Sequence, residues 1–288
     1  RPVSNLVFQL MFSPNIVNIL VVVLVPVLSF VLAVSFYAFD FGKTFVSYSS
    51  SKPDLKFSNG NNTLSMLYKK ELYSYGTTPA YIINTMIGPI MILAFGVFLS
   101  TVGYDGVCNY FGAGLDKNVL AGIFAILFSV MCATAPISAC SISLEGKNMW
   151  ILKSSPINEK QLFLSKILVH FSIVEPCILI SAGVLSIFMG FNLLQFAIVF
   201  VCPTLLNLII CSLGIFLNLL FPKFDFDNPT KVVKQSLSVL LCMVFGILLS
   251  AVGFGIYKLF PALSIGMIFA ILTAIYVSIF TVLLIVVF

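Results

Sequence analysis

The chain has 288 residues, of which 60% are hydrophobic and 9% charged, with a net charge of +5. A soluble domain carries about 25% charged residues, so this composition cannot cover a water-facing surface and excludes a soluble enzyme or nucleic-acid-binding domain. The solvent for most of the chain is the bilayer, and the +5 is a matter of loop asymmetry.

In lipid every backbone polar group must be satisfied internally, so spanning elements are helices or closed barrels. The apolar runs here far exceed the ~10-residue alternating strands of a barrel, and the expected fold is an all-α integral membrane protein. A spanning helix needs about 20 apolar residues. In chain order the runs are 16–37, 81–103, 119–143, 167–189, 193–221, 236–257 and 262–288, so about seven transmembrane helices are expected. The first run lacks the basic start and cleavage site of a signal peptide. Residues 47–62 are rich in Ser, Asn, Gly and Pro and read as a linker. In 63–78, Leu64, Leu67, Tyr68, Leu72 and Tyr75 recur at helical spacing with Lys69, Lys70 and Glu71 on the other side. That pattern predicts an amphipathic interfacial helix. Only Gly190, Phe191 and Asn192 separate the fourth and fifth runs, which predicts a tight hairpin. The last run is long and follows Pro261, which leaves room for a re-entrant or broken portion. The chain starts at Arg1 and stops at Phe288 inside an apolar run, and it reads as a fragment of a longer membrane protein.

Seven spans place the loops 38–80, 144–166 and 222–235 on one side. Those loops hold twelve lysines, against Arg1, Lys117 and Lys258 on the other side. The excess predicts a cytoplasmic location for the lysine-rich side, with the amino end outside and the carboxyl end cytoplasmic.

Several motifs fail on spacing. A phosphate loop needs Gly five residues before its Gly-Lys pair. For Gly42-Lys43 that place is Tyr37, and for Gly146-Lys147 it is Ser141. No ATP site is therefore expected in this chain. Asp225 and Asp227 read as a solvated turn, and His170 is the only histidine. The seven cysteines have no CxxC spacing and read as small buried hydrophobes. The Asn61-Asn62-Thr63 sequon falls on the cytoplasmic side. Glu175 stands apart: it lies about 13 Å beyond Lys166 along a helix, near mid-bilayer, and Pro176 follows it. An intramembrane carboxyl is a functional candidate by default, set against the more ordinary reading of a neutral, hydrogen-bonded structural Glu at a Pro-induced kink.

The segment 141–166, SISLEGKNMWILKSSPINEKQLFLSK, carries the lone Trp between two spans. Leu144, Asn148, Ile151 and Leu152 share a helical face, with Glu145 and Lys147 projecting elsewhere. Ser155-Pro156 then restarts the chain as cap and first helical residue. The expectation is helix, break, helix. The residues Ser143, Glu145-Gly146-Lys147, Trp150, Leu152-Lys153-Ser154 and Pro156 resemble permeases of type-2 ATP-binding-cassette (ABC) exporters, in particular a two-half bacterial group. Three further stretches agree: LYKKELYSYGTTPAYIINT (67–85), SKILVH (165–170) and FPKFDFDNPTKVVKQSLSVLL (221–241). Phe226 departs from the pattern, where a Trp is expected.

The resemblance implies a C-terminal permease half over 63–288, with a cytoplasmic connecting helix, six spans and a coupling helix. It implies that 1–37 ends an upstream half and that 38–62 links the halves. The implied function is export of a substrate using ATP hydrolysed by a separate ATPase subunit, in two copies, at a bacterial plasma membrane. ATP and Mg would sit on that partner, with no cofactor or metal in this chain. The implied partners are the ATPase, the other permease half and membrane lipid, and no nucleic acid. The coupling residues would be Glu145, Gly146, Lys147, Trp150, Lys153 and Pro156, with Trp150 either an anchor on the ATPase or a residue of the headgroup belt. The competing expectation is a secondary transporter or channel that uses Glu175 as an ion or proton site. An intramembrane enzyme would need a catalytic constellation that the sequence does not offer.

Overall fold

The computed structural model describes residues 63–111, 116–154, 157–260 and 262–287. They belong to a single compact unit, 60–288. The expected first span at 16–37 and the linker at 38–62 lie outside the described residues.

The described residues form α1 (Thr63–Thr77), α2 (Pro79–Thr85), α3 (Ile87–Phe111), α4 (Lys117–Ala133), α5 (Ser138–Ser141), a 3-10 segment (Ser143–Asn148), α6 (Met149–Ser154), α7 (Glu159–Met189), α8 (Leu193–Leu220), α9 (Pro229–Gln235), α10 (Leu237–Leu259) and α11 (Ile265–Val287). No strand occurs among them. Among the described residues, six segments are long and apolar enough to cross a membrane: Ile87–Asn109, Lys117–Gly146, Glu159–Met189, Leu193–Leu220, Pro229–Leu259 and Ile265–Val287. The protein is a multi-pass all-α membrane protein over this region.

The middle of the bundle is α8, which packs against α4, α5, α7, α10 and α11. Its neighbour α7 also supports α3 and α1. The α7–α8 hairpin forms as expected. Gly190 ends α7 in the left-handed region, and Asn192 and Gln195 cap α8 reciprocally.

Two expectations about spans change. The run at 119–143 is not one helix. The chain leaves the helix after Ala133, and Pro136 lacks the N–H that would continue it. Thr134 and Ala135 donate back to Met131 and Cys132 in tightened turns, and Ile137 donates to the Ala135 carbonyl at 2.8 Å. Conversely, the last run, where a break was possible, is one unbroken helix, Ile265–Val287.

Neighbouring helices close tightly on the 134–137 break. A Cβ added at Gly214 of α8 would fall 2.2 Å from Ser138 Oγ and 2.8 Å from the Ala139 nitrogen. Gly88 of α3 and Gly246 of α10 abut Met131, Thr134 and Ala133 in the same way.

Candidate functional site

The lysine-rich end of the bundle gathers α1, the 143–154 segment, the start of α7 and the turn 221–228. Its centre is Lys166, whose side chain is fully buried. The ammonium reaches Glu71 Oε2 at 2.8 Å, Glu145 Oε1 at 3.0 Å and the Ser141 carbonyl at 3.2 Å. Three acceptors match the three protons of an ammonium, which is what a buried charge requires. Lys70 closes the network by pairing with Glu71 at 3.1 Å and with Glu145. Burial works against the charged form of Lys70, but the two carboxylates outweigh it and hold its pKa above the ordinary lysine value. Two lysines and two glutamates thus join α1, the 3-10 segment and α7 with no net charge.

This arrangement corrects the expected face of α1. The buried residues are Leu67, Glu71 and Tyr75, while Leu72 is exposed. Glu71 lies on the inner face because Lys166 is there to receive it. A second tie runs higher up, where the Tyr68 hydroxyl donates to Ser172 Oγ at 2.9 Å.

Asn218, fully buried near the end of α8, fixes the start of the 143–154 segment. Its Oδ1 accepts from the Ile142 and Ser143 N–H groups, each at 2.9 Å. Its Nδ2 donates to Ser143 Oγ at 2.8 Å and Ser238 Oγ at 3.1 Å. Ser143 Oγ also accepts from the Lys223 N–H at 2.9 Å. One amide therefore binds the segment to α8 and α10. A buried polar group that is fully paired specifies one arrangement.

The expected helix, break, helix is modified at Gly146. This residue has φ 52° and ψ −130°, inside the 3-10 segment, a conformation open almost only to glycine. A Cβ there would also stand 3.2 Å from the Phe226 ring. Phe226, where a Trp was expected, is thus the lid on Gly146. Beyond the turn, Met149 packs against the cluster of Ile142, Ile167, Cys211, Ile215 and Val287. Trp150 is 66% exposed and Ile151 47% exposed. The expected common face is split: Leu144 and Leu152 are half-buried, Asn148 and Ile151 exposed. Lys147 lies in the 3-10 segment and Lys153 in α6, and Pro156 is outside the described residues. Glu145, expected only to project off the Leu144 face, turns its carboxylate inward to Lys166.

Of the remaining candidates, Asp227 is solvent-exposed and, among the described residues, pairs with Lys231 at 3.2 Å, as a solvated turn would. His170 Nδ1 accepts from the Ser138 N–H at 3.3 Å, which leaves the proton on Nε2. That Nε2 is buried without a partner among the described residues. Glu175 is half-buried within α7, whose helical run continues through Pro176. Its Oε1 accepts from Thr204 Oγ1 at 2.6 Å and its Oε2 from Asn207 Nδ2 at 3.4 Å. Both donors are neutral and belong to α8. No group of His, Cys, Asp and Glu able to hold a metal occurs among the described residues.

Reasoning from sequence missed Lys166, Glu71 as an inward residue, and Asn218. The spacing of Leu67, Glu71 and Tyr75 was a usable signal for the second. No protein-family model, curated protein or solved structure matches the chain.

Proposed function

We propose that this chain is a permease half of an ABC exporter, driven by a separate cytoplasmic ATPase subunit. The observation that carries this reading is the mounting of the Trp150 segment. A short helix presents Trp150 at the lysine-rich end, while the Lys166 network and Asn218 tie its root to α1, α7, α8 and α10. A force applied to Trp150 would enter four elements through paired polar contacts rather than dissipate in a loop. The resemblance of Ser143, Glu145-Gly146-Lys147, Trp150 and Lys153 to coupling segments supports the same reading. In it, Trp150 is the anchor in a groove of the ATPase, and Glu145 belongs to the transmission rather than to the docking surface. The lysine-rich end is cytoplasmic and the membrane is the bacterial plasma membrane.

The test is to express the full-length protein with the candidate ABC ATPase subunits of its own organism. We expect an ATPase to co-purify and Trp150→Ala to weaken that complex at least tenfold, because a truncated Trp anchor typically removes ~2 kcal/mol or more. Insertion and thermal stability should not change, since the side chain is exposed. An unaltered complex and unaltered coupled hydrolysis in Trp150→Ala would overturn the reading.

One observation favours a secondary transporter: Glu175 has only neutral partners among the described residues. That reading expects substrate movement under an ion gradient without ATP, abolished by Glu175→Gln.

A further inference from the structure

Between α4, α8, α10 and α11 lies an apolar slot of about 150 Å³. It runs from Val119, Tyr257 and Ile265 at the lysine-poor end down to Ser129, Ser250 and Tyr276. The ten residue steps from Val119 to Ser129 rise about 15 Å, half of a hydrocarbon core of about 30 Å. The slot therefore follows one leaflet in depth.

Its chemistry is that of hydrocarbon. Ser250 Oγ donates to the Ile247 carbonyl at 2.7 Å and the Tyr276 hydroxyl to the Leu249 carbonyl at 2.9 Å, so neither seeks a ligand. The volume is well below the 300–1,000 Å³ of a pocket for a drug-sized molecule, so the slot takes a narrow stretch of hydrocarbon and leaves the rest of a longer chain in the bilayer. At the mouth, Lys258 follows Phe254, a wall residue, by one helical turn, and its Nζ lies 5.7 Å from that ring's centroid. No carboxylate among the described residues pairs with Lys258, whereas Lys117 at the same end donates to the Gly190 carbonyl at 3.0 Å.

We infer that this slot binds one extended acyl chain whose anionic headgroup meets Lys258. The chain enters from the lysine-poor end and displaces no ordered polar contact. The inference does not depend on the exporter reading. The ligand is either a free single-chain acid or one chain of an anionic bilayer lipid.

The test uses full-length protein in phosphatidylcholine liposomes with a diazirine-bearing dodecanoate. Labelling should saturate and map to peptides covering 119–129 and 250–276. Gly122 lines the slot, and a Cβ there meets nothing within 4 Å, so the side chain of Gly122→Leu starts into open space and occupies the slot. It should lower labelling by roughly tenfold or more, the equivalent of ~1.4 kcal/mol. Gly183, another helical glycine with open space around it, lies outside the slot, and Gly183→Leu should leave labelling unchanged. Unlabelled dodecanoate should compete, and dodecyltrimethylammonium should compete less well; Lys258→Gln should erase that difference. A lipid that co-purifies with the parent protein but not with Gly122→Leu identifies a bilayer lipid as the occupant. Competition without a co-purifying lipid identifies a free acid. Labelling spread over lipid-facing residues and indifferent to Gly122→Leu overturns the site. Equal competition by both amphiphiles in the parent protein overturns the role of Lys258. None of these measurements involves ATP or an ATPase, so their failure leaves the exporter reading standing, and the reverse holds.

Discussion

Lys166 and Lys70 touch the same two carboxylates, yet their surroundings separate them. The Lys166 side chain is 0% exposed and that of Lys70 40%. Removing one partner of a buried ion network strands the others, at a cost of about 3–5 kcal/mol. An exposed pair contributes no more than about 1 kcal/mol. Lys166→Met should therefore sharply lower the folded yield and the unfolding temperature of detergent-purified protein, while Lys70→Met shifts them little. The double change Lys166→Met with Glu71→Met should recover part of the loss, because it leaves fewer unpaired charges. Equal effects of the two lysine substitutions would refute the network as a buried unit. Since the Lys70 pKa is raised, its contribution is complete below the ordinary value of 10.5 and is lost only as pH rises through its higher folded value. Neutral pH leaves the pair intact. The spacing of Leu67, Glu71 and Tyr75 hints at an inward Glu71, but its pairing was not legible in the sequence, where Lys166 counts as one more loop lysine. Burial of a charge depends on partners 21 and 95 positions away, Glu145 and Glu71, and hydropathy patterns carry no such pairing.

At the scale of elements, the spans were legible because about 20 apolar residues have few alternatives in a membrane. The 134–137 break was not, because hydropathy averages over it. Ala135-Pro136 was the visible clue, and Pro176 and Pro203 show why it was weak: both sit inside helices that continue. The break is distinguished by what surrounds it. His170 and Gly214 meet Ser138, and the Tyr81 hydroxyl donates to the Ile137 carbonyl at 2.6 Å. These contacts take up backbone groups that a helix would have paired for itself. The fit is tight, so Gly214→Ala should cost ~1–3 kcal/mol or more by overpacking. Adding Ser138→Ala should relieve only part, because the Ala139 nitrogen still blocks the new methyl. Gly183→Ala in α7 is the control: its Cβ meets nothing, and better helix propensity should leave stability unchanged or raised by up to ~1 kcal/mol. Thermal unfolding of the three variants in one detergent measures this, and a harmless Gly214→Ala would mean the break is loosely packed.

At the scale of the whole molecule, the two ends of the bundle differ in charge. Among the described residues, Lys69, Lys70, Lys147, Lys153, Lys160, Lys166, Lys223, Lys231 and Lys234 belong to one end, and Lys117 and Lys258 to the other. The lysine-poor end also carries Asp105 and Asp116. Lysine and arginine next to spans are retained on the cytoplasmic side, where anionic lipid adds about 1 kcal/mol of attraction per basic residue near the surface. The Trp150 segment shares the lysine-rich end, so orientation decides whether an ATPase could reach it at all. Asp116 and Lys234 are exposed residues at opposite ends, and each can be replaced by cysteine. Cys108, next to the end of the span Ile87–Asn109, is half-exposed and should first be changed to serine; Cys177 is also half-exposed, but lies near the middle of the span Glu159–Met189. A membrane-impermeant maleimide applied to intact cells should label Asp116→Cys and spare Lys234→Cys until the membrane is permeabilised. The opposite pattern would put Trp150 on the side without ATP. The exporter reading would then fail whatever the strength of the resemblance, while the Lys166 network and the acyl-chain slot would keep their geometry and lose only their assigned sides.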